Sequence, residues 1–157
     1  LGDSVKETAA KVRKCEICGM LDVNLPTKIC SSDTRIKNTI CIVEDMADVW
    51  ALERSGFYKG QYHVIGGLLS ASKNFTEQDL RLHKLKERIE KNKVEEVILA
   101  LSATIEGQTR ALVIRDYLEK MNLKITQLAY GVPVGSEIHY LDDNTLGAAL
   151  DARKNLG

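Results

Sequence analysis

Three of the four cysteines lie near the amino terminus, at spacings typical of a metal-binding knuckle. Cys15 and Cys18 form a Cys-x-x-Cys pair, and Cys30 follows in a stretch rich in turn residues. A structural zinc site takes four ligands, usually from two such pairs. In the second pair Thr27 stands where the spacing requires a cysteine, and threonine is not a zinc ligand. The sequence therefore predicts a three-cysteine candidate zinc site without its fourth ligand.

The residues leave several outcomes open at this knuckle. Asp22, Asp33 or a water molecule could complete the coordination of a zinc ion, or the site could hold no metal. A redox role is less favoured, because the Cys-x-x-Cys pair lies outside the region of alternating strands and helices. Cys41 falls within an apolar run, so we expect it to be a small buried hydrophobic residue.

Acidic residues form a second candidate site. Glu44, Asp45 and Asp48 follow one predicted strand, and Glu106 follows another. Carboxylates at neighbouring strand ends can share a cation such as Mg²⁺, although two-metal phosphoryl chemistry typically needs more of them. Equally, acidic residues in the first turn of a helix are expected simply because they interact with its dipole. Both interpretations stay open from the sequence.

The elements that must position these residues alternate between strands and helices. Short apolar runs predict strands at 40–43, 62–65, 97–101 and 125–129. Amphipathic periodicity predicts helices at 46–54, 76–91 and 107–121 and from about Asn144 onwards. This alternation is typical of an α/β fold with a parallel sheet, in which functional groups collect at the carboxyl ends of the strands.

Helical spacing also predicts which side chains face the core. The expected inward residues of the four helices, in chain order, are Ala47, Trp50, Ala51; Leu82, Leu85, Ile89; Ala111, Ile114, Leu118, Met121; and Leu146, Ala149, Leu150. A further helix is predicted over residues 1–14, where Val5, Ala9 and Val12 recur at helical spacing.

The composition limits the class of protein. The chain has 157 residues, 44% of them hydrophobic and 28% charged, as in a globular domain. Its 22 basic and 22 acidic residues cancel, which argues against a strongly basic nucleic-acid module. No apolar run approaches the ~20 residues of a bilayer span, and no secretory signal is recognisable. The chain begins with Leu1 rather than Met, so we expect a fragment of a longer protein. Because it is long enough to build its own core and shows no secretory signal, we expect a cytosolic setting with reduced thiols.

Seven segments match one known pattern in order. They are CEIC at 15–18, TICIVE at 39–44, DVWALERSG at 48–56, YHVIGGLLS at 62–70, EVILALSATIEG at 96–107, LAYGVPVGSE at 128–137 and TLGAALDAR at 145–153. Their order resembles the bacterial RecR family of recombination mediators across essentially the whole chain. The resemblance implies a Toprim-type parallel sheet flanked by helices, preceded by a small degenerate C4 zinc-finger-like segment.

The same resemblance implies a division into domains. Residues 1–14 form a helix that leads from an N-terminal helix-hairpin-helix, which we expect to be missing here. The zinc-finger-like segment spans 15–38, the Toprim domain spans 39–135, and a C-terminal segment and helix spans 136–157. In the family the C-terminal segment helps to build a ring-like oligomer, so a homo-oligomer is expected.

This chain departs from the family pattern at three places. Thr27 replaces the third cysteine ligand, and residues 71–76 read ASKNFT where the family often has PLDGIG. Catalytic Toprim enzymes carry Asp-x-Asp after the third strand, whereas this chain has Ser102 and Thr104 at those positions. We therefore expect no enzymatic activity and no catalytic Mg²⁺.

The resemblance implies a non-enzymatic DNA-repair adaptor. It would help RecO and RecF partners to load RecA on single-stranded DNA, in the bacterial cytoplasm at the nucleoid, with weak DNA contact in this chain and no membrane. We expect Glu44, Asp48, Glu106 and Gly107 to bind a partner. The alternative is a metal-dependent Toprim nuclease or primase-like enzyme, and a third interpretation is a zinc-dependent protein-binding module. Zinc content, oligomeric state, DNA affinity and the choice of partner stay open.

Overall fold

A small hairpin begins the described part of the chain. The computed structural model describes residues 12–22, 27–65 and 81–157. Strands β1 (Arg13–Lys14) and β2 (Leu21–Asp22) pair antiparallel, and the short helix α1 (Lys28–Ser31) follows. Most of the helix predicted for 1–14 lies outside the described residues. Its last two residues form β1 instead, because the Cys-x-x-Cys turn folds them back onto β2.

Four strands form the main sheet. They are β3 (Thr39–Val43), β4 (Gln61–Val64), β5 (Glu96–Leu99) and β6 (Lys124–Gln127), in the order β4-β3-β5-β6. Strand β3 pairs in parallel with both β4 and β5. Its residues from Ile40 to Val43 are buried on both faces, as a continuous apolar run requires. The predicted parallel sheet is confirmed, with strand bounds shifted by one or two residues.

The helices follow the predicted alternation. They are α2 (Met46–Ser55), α3 (Leu82–Asn92), α4 (Ile105–Leu118) and α5 (Asp143–Asp151), with a 3₁₀ turn at Ile138–Tyr140. The helix predicted for 76–91 corresponds to α3, and Thr76, which we expected to cap it, lies outside the described residues. None of the helices in the described ranges is both long enough and apolar enough to cross a bilayer.

Two apolar clusters pack on the sheet. One joins β3 and β5 to helices α3 and α4 and contains, among others, Ile40, Ile42, Leu85, Val97 and Ile114. The other joins β3, β4 and α2 to the amino-terminal hairpin and contains Cys15, Cys18, Met20, Cys41, Val43, Val49 and Tyr62. The Cys-x-x-Cys segment is therefore part of the core of the sheet rather than an appendage.

The inward face of α2 differs from the prediction. Met46 and Val49 are buried, whereas Trp50 is 58% exposed and the two predicted alanines are also exposed. Asp45 and Asp48 form a capping box that ties the first turn to the end of β3, so the cap sets which side of the helix meets the sheet. The predicted inward residues of α3 and α4 are confirmed as buried or packed against the core.

Residues Gln127–Gly157 form a second compact unit, separate from Leu1–Thr126. Its helix α5 is capped by Asp142, which accepts hydrogen bonds from the backbone and hydroxyl of Thr145. These bonds lower the pKa of Asp142. None of the residues 127–157 is buried, and large apolar side chains are exposed, among them Val134, Ile138, Tyr140, Leu150 and Leu156. The predicted inward face of Leu146, Ala149 and Leu150 is therefore not buried within the chain.

Ile114 tests the core that holds α4 on the sheet. Ile114 is completely buried, so Ile114→Ala should lower the free energy of unfolding by about 2–5 kcal/mol through lost burial and a residual cavity. Leu112→Ala, on the half-exposed side of the same helix, should cost less than about 1 kcal/mol. Urea denaturation measures both, and equal losses would contradict this packing.

Candidate functional site

The three amino-terminal cysteines meet at one point. The sulfurs of Cys15, Cys18 and Cys30 all lie within 4.8 Å of one another, and Cys15 Sγ is 3.7 Å from Cys30 Sγ. Cys15 and Cys18 are buried, and Cys30 is partly exposed. The structure thus brings together all three predicted ligands.

A tight turn shapes the first half of this knuckle. The backbone N–H of Cys15 donates to Met20 O at 2.7 Å, and that of Gly19 donates to Cys15 O at 2.8 Å. Gly19 has φ +81°, a left-handed conformation that favours glycine. A Cβ at this position would also clash with the carbonyl oxygen of Val64 and the guanidinium of Arg81. Glycine is required here for both reasons.

Backbone hydrogen bonds attach the knuckle to the sheet. The N–H of Val64, at the end of β4, donates to Cys18 O at 2.7 Å. The guanidinium of Arg81 donates to Val64 O at 3.2 Å and to Glu16 O at 2.8 Å, bridging the sheet and the turn. No role was predicted for Arg81, because the sequence placed it within the charged helix predicted for 76–91, where a single arginine is not distinctive.

The cysteines fit three ligands of a zinc ion. With a Zn–S bond of about 2.3 Å, sulfurs around a tetrahedral zinc lie about 3.8 Å apart, close to the spacing here. Their hydrogen bonding lowers the pKa of Cys30 and raises that of Cys18, so Cys30 ionises first. In the described part of the chain, the group of potential metal ligands includes the three cysteines but neither Asp22 nor Asp33.

Thr27 lies beside the three cysteines. It is buried, and its Oγ1 lies 3.5 Å from Cys18 Sγ. The same oxygen accepts a hydrogen bond from Cys30 N at 3.3 Å and caps α1. A neutral hydroxyl therefore preserves the backbone geometry of the knuckle without supplying a thiolate.

The second candidate site lies at the carboxyl ends of β3 and β5. Glu44 Oε1 pairs with Arg110 Nη1 at 2.9 Å, and the two side chains are only 14% and 6% exposed. Ser102 Oγ donates to the same carboxylate oxygen at 3.4 Å and lies 2.7 Å from Thr104 Oγ1. The carboxylate of Glu44 is thus held by a guanidinium and a hydroxyl rather than directed at solvent.

The first turns of α2 and α4 lie beside this candidate site. Asp48 Oδ2 accepts hydrogen bonds from the backbone of Glu44 and Asp45 at 3.3 and 3.4 Å. Burial and the neighbouring Asp45 and Glu44 carboxylates raise the pKa of Asp48, and those backbone bonds oppose the rise. At the start of α4, Gly107 packs so closely against Ser102 that any Cβ would clash. These contacts are structural, as expected for residues that cap helices.

Glu106 differs from the other acidic residues of this site in its lack of hydrogen-bond partners within the described part of the chain. Glu106 is exposed in the first turn of α4, and none of the hydrogen bonds or ion pairs formed by the described residues includes it. Arg110, the partner of Glu44, was not predicted from the sequence. The available signal was an arginine within the apolar stripe of α4, where Ala111 and Ile114 are also buried.

Comparison with known proteins agrees with this geometry. A family model described as Toprim domain matches residues 38–129, and one described as RecR, C-terminal, matches residues 131–154. The recombination protein RecR of Rhodospirillum rubrum is 51% identical over 98% of this chain and 78% of that relative. The RecR proteins of Maricaulis maris and Cereibacter sphaeroides are 46% and 47% identical, over 99% and 98% of this chain and 78% and 77% of their own lengths.

The Glu44–Arg110 pair should be essential for stability. Arg110→Met leaves a nearly buried carboxylate without its guanidinium and should cost about 3–5 kcal/mol. The double variant Glu44→Leu/Arg110→Met should recover much of this loss. Arg115→Met, which removes an exposed ion pair with Asp116, should cost less than about 1 kcal/mol. Denaturant unfolding of the wild type, Glu44→Leu, Arg110→Met and the double variant measures the coupling, and additive single and double effects would contradict it.

Thr27 should limit the affinity of the knuckle for zinc. Thr27→Cys adds a fourth thiol at a position whose hydroxyl oxygen now lies 3.5 Å from Cys18 Sγ. It should slow the loss of zinc to a competing chelator by at least about tenfold. Thr34→Cys adds a thiol at an exposed position and is the matched control. A chromogenic chelator measures release, and equal release from both variants would show that Thr27 is not at the ligand position.

Proposed function

The chain belongs to the RecR family of recombination proteins, and on that premise we propose that it is a non-enzymatic DNA-repair adaptor. It helps RecO- and RecF-type proteins to load RecA on single-stranded DNA during recombinational repair. It acts in the bacterial cytoplasm at the nucleoid, and its own contact with DNA is weak. Its role is to hold partners in register rather than to transform a substrate.

The ion pair of Glu44 with Arg110 is the observation that carries the non-enzymatic proposal. Metal-dependent phosphoryl transfer uses carboxylates that are free to bind cations. Here the strand-end carboxylate already has a guanidinium at 2.9 Å, and Ser102 and Thr104 offer neutral hydroxyls where the Asp-x-Asp of catalytic Toprim enzymes would lie. This arrangement supports a Toprim domain that has kept its framework without its metal chemistry.

We assign partner binding to the acidic edge, which we define as Glu44, Asp48, Glu106 and Gly107. Glu106 is its exposed charge, and Gly107 allows α4 to begin close to Ser102. Glu44 and Asp48 keep the two helix starts in place. Exposed carboxylates on a rigid edge favour the docking of basic side chains, where they set orientation and association rate.

Zinc has a structural role in this proposal. Cys15, Cys18 and Cys30 would hold the ion, and it would supply cross-linking of the knuckle rather than catalysis. The proposed domain division is a zinc-finger-like segment at 15–38, a Toprim domain at 39–135 and a C-terminal segment at 136–157. The apolar side chains exposed on residues 127–157 support self-association into a homo-oligomer.

Glu106 tests partner docking without disturbing the fold. Glu106→Lys reverses an exposed charge that makes no ion pair among the described residues, so the free energy of unfolding should fall by no more than about 1 kcal/mol, through the helix dipole, while binding to a RecO-type protein weakens by about tenfold. The loss should shrink as salt is raised. Glu119→Lys makes the same change at an exposed position after the other end of α4 and should bind normally.

Calorimetry of each variant with the partner measures the effect, and unchanged binding by Glu106→Lys would exclude this docking edge.

A nicking assay tests the alternative function, a metal-dependent Toprim enzyme. Mg²⁺-dependent nicking of plasmid DNA by the chain, abolished by Glu44→Ala, would replace the adaptor proposal with a Toprim enzyme.

A further inference from the structure

A cavity of about 430 Å³ lies between the knuckle, the first residue of β4 and helix α3. Its volume far exceeds the ~30 Å³ share of one water molecule. Knuckle residues line one side, among them Ile17 and Cys30, and Lys37 and Gln61 lie at the strand starts. The residues that line this cavity include none of the four residues of the acidic edge.

One stripe of α3 makes the cavity basic. Lys84, Arg88 and Lys91 all line it, at the spacing that places residues on one helix face. With Lys37 they contribute four positive charges, against the two carboxylates of Glu16 and Glu87. Glu87 is in turn 2.9 Å from the imidazole of His83. The lining therefore has a positive excess, although the whole chain has no net charge.

Two buried donors in the lining lack acceptors. Gln61 is 2% exposed and Arg88 is 6% exposed. Arg88 donates to Tyr62 O at 2.5 Å and to Gln61 Oε1 at 3.2 Å. Among the described residues, however, neither Arg88 Nε nor Gln61 Nε2 has a hydrogen-bond partner. Both residues line the cavity, and buried donors without acceptors are costly, so a ligand that brings acceptor oxygens to this lining would be favoured.

The guanidinium of Arg88 also lacks a carboxylate. None of the ion pairs in the described ranges includes it. The acidic groups that act on it are the knuckle thiols and Tyr58, which offset only part of a buried positive charge. A ligand with several acceptor oxygens and a negative charge would satisfy both the donors and the charge.

We propose that this cavity binds a phosphate group of single-stranded DNA. Arg88 and Gln61 donate hydrogen bonds to its oxygens, and Lys84 and Lys91 supply the surrounding positive charge. Ile17, 45% exposed at the rim, offers an apolar contact to the adjoining sugar or base. The choice of DNA as the source of the phosphate rests on the proposed function, whereas the anion site itself rests on the cavity alone.

Inorganic phosphate tests the anion site directly. In ¹⁵N NMR spectra of the whole chain, the Arg88 Nε–H and Gln61 amide signals should shift on titration with phosphate. They should not shift with chloride at matched ionic strength. An equal response to both salts would overturn the proposal, because it would leave only a screening effect.

Charge reversal tests whether the phosphate belongs to DNA. Lys84→Glu and Lys91→Glu should each weaken binding of a fluorescent oligothymidylate by about five- to tenfold at low salt, with a log–log salt slope reduced by about 0.7. Lys86→Glu is the matched control, an exposed lysine on the same helix that does not line the cavity. It should change binding by about twofold or less.

The outcomes distinguish failure of the phosphate-site proposal from failure of the partner-docking proposal. Equal loss of oligonucleotide binding in Lys84→Glu and Lys86→Glu would overturn the assignment to DNA, and a phosphate response would then show a site for free phosphate only. Normal phosphate and DNA responses in a chain that binds no RecO-type partner would sustain this inference while removing the docking part of the proposed function.

Discussion

The hydrogen bond from Val64 N to Cys18 O joins the cysteine knuckle to the sheet, and it fixes the position of the knuckle residues that line the cavity. Arg81 reinforces the junction by donating to backbone oxygens on each side. As a result Cys15 and Cys18 lie in the same apolar cluster as β3 and β4. The three cysteines are held together by the core of the sheet, so Thr27 can replace a cysteine while the knuckle keeps its shape.

Opposite charges of this chain lie in two different groups of residues. Glu44, Asp48 and the exposed Glu106 follow strands β3 and β5, whereas Lys84 and Lys91 of α3 line the cavity beside the knuckle. A net charge of zero therefore conceals two local groups of charges of opposite sign. The proposed adaptor role, in which a basic protein partner and a nucleic acid bind the same chain, is compatible with this charge distribution.

The carboxyl ends of β3 and β5 bring Glu44, Ser102 and Arg110 into contact. In a parallel sheet the carboxyl ends converge, so Glu44 and Ser102 are brought together whatever their function. Here the convergence serves an ion pair with Arg110 that fastens α4 to the edge of β3. The caps made by Asp45, Asp48 and Thr104 orient both helices, which leaves Glu106 as the charge directed at solvent.

Sequence alone determined the alternation of strands and helices, the three cysteines and the family, because these depend on local periodicity and on motifs that are contiguous in the chain. It failed on the inward face of α2, where a capping box overrides apolar spacing and buries Val49 instead of Trp50. Only the tertiary structure decided that Glu44 pairs with Arg110, 66 residues away, and that Gln61 and Arg88 share a cavity with the knuckle. Such pairings depend on how distant segments pack, and no local pattern encodes them.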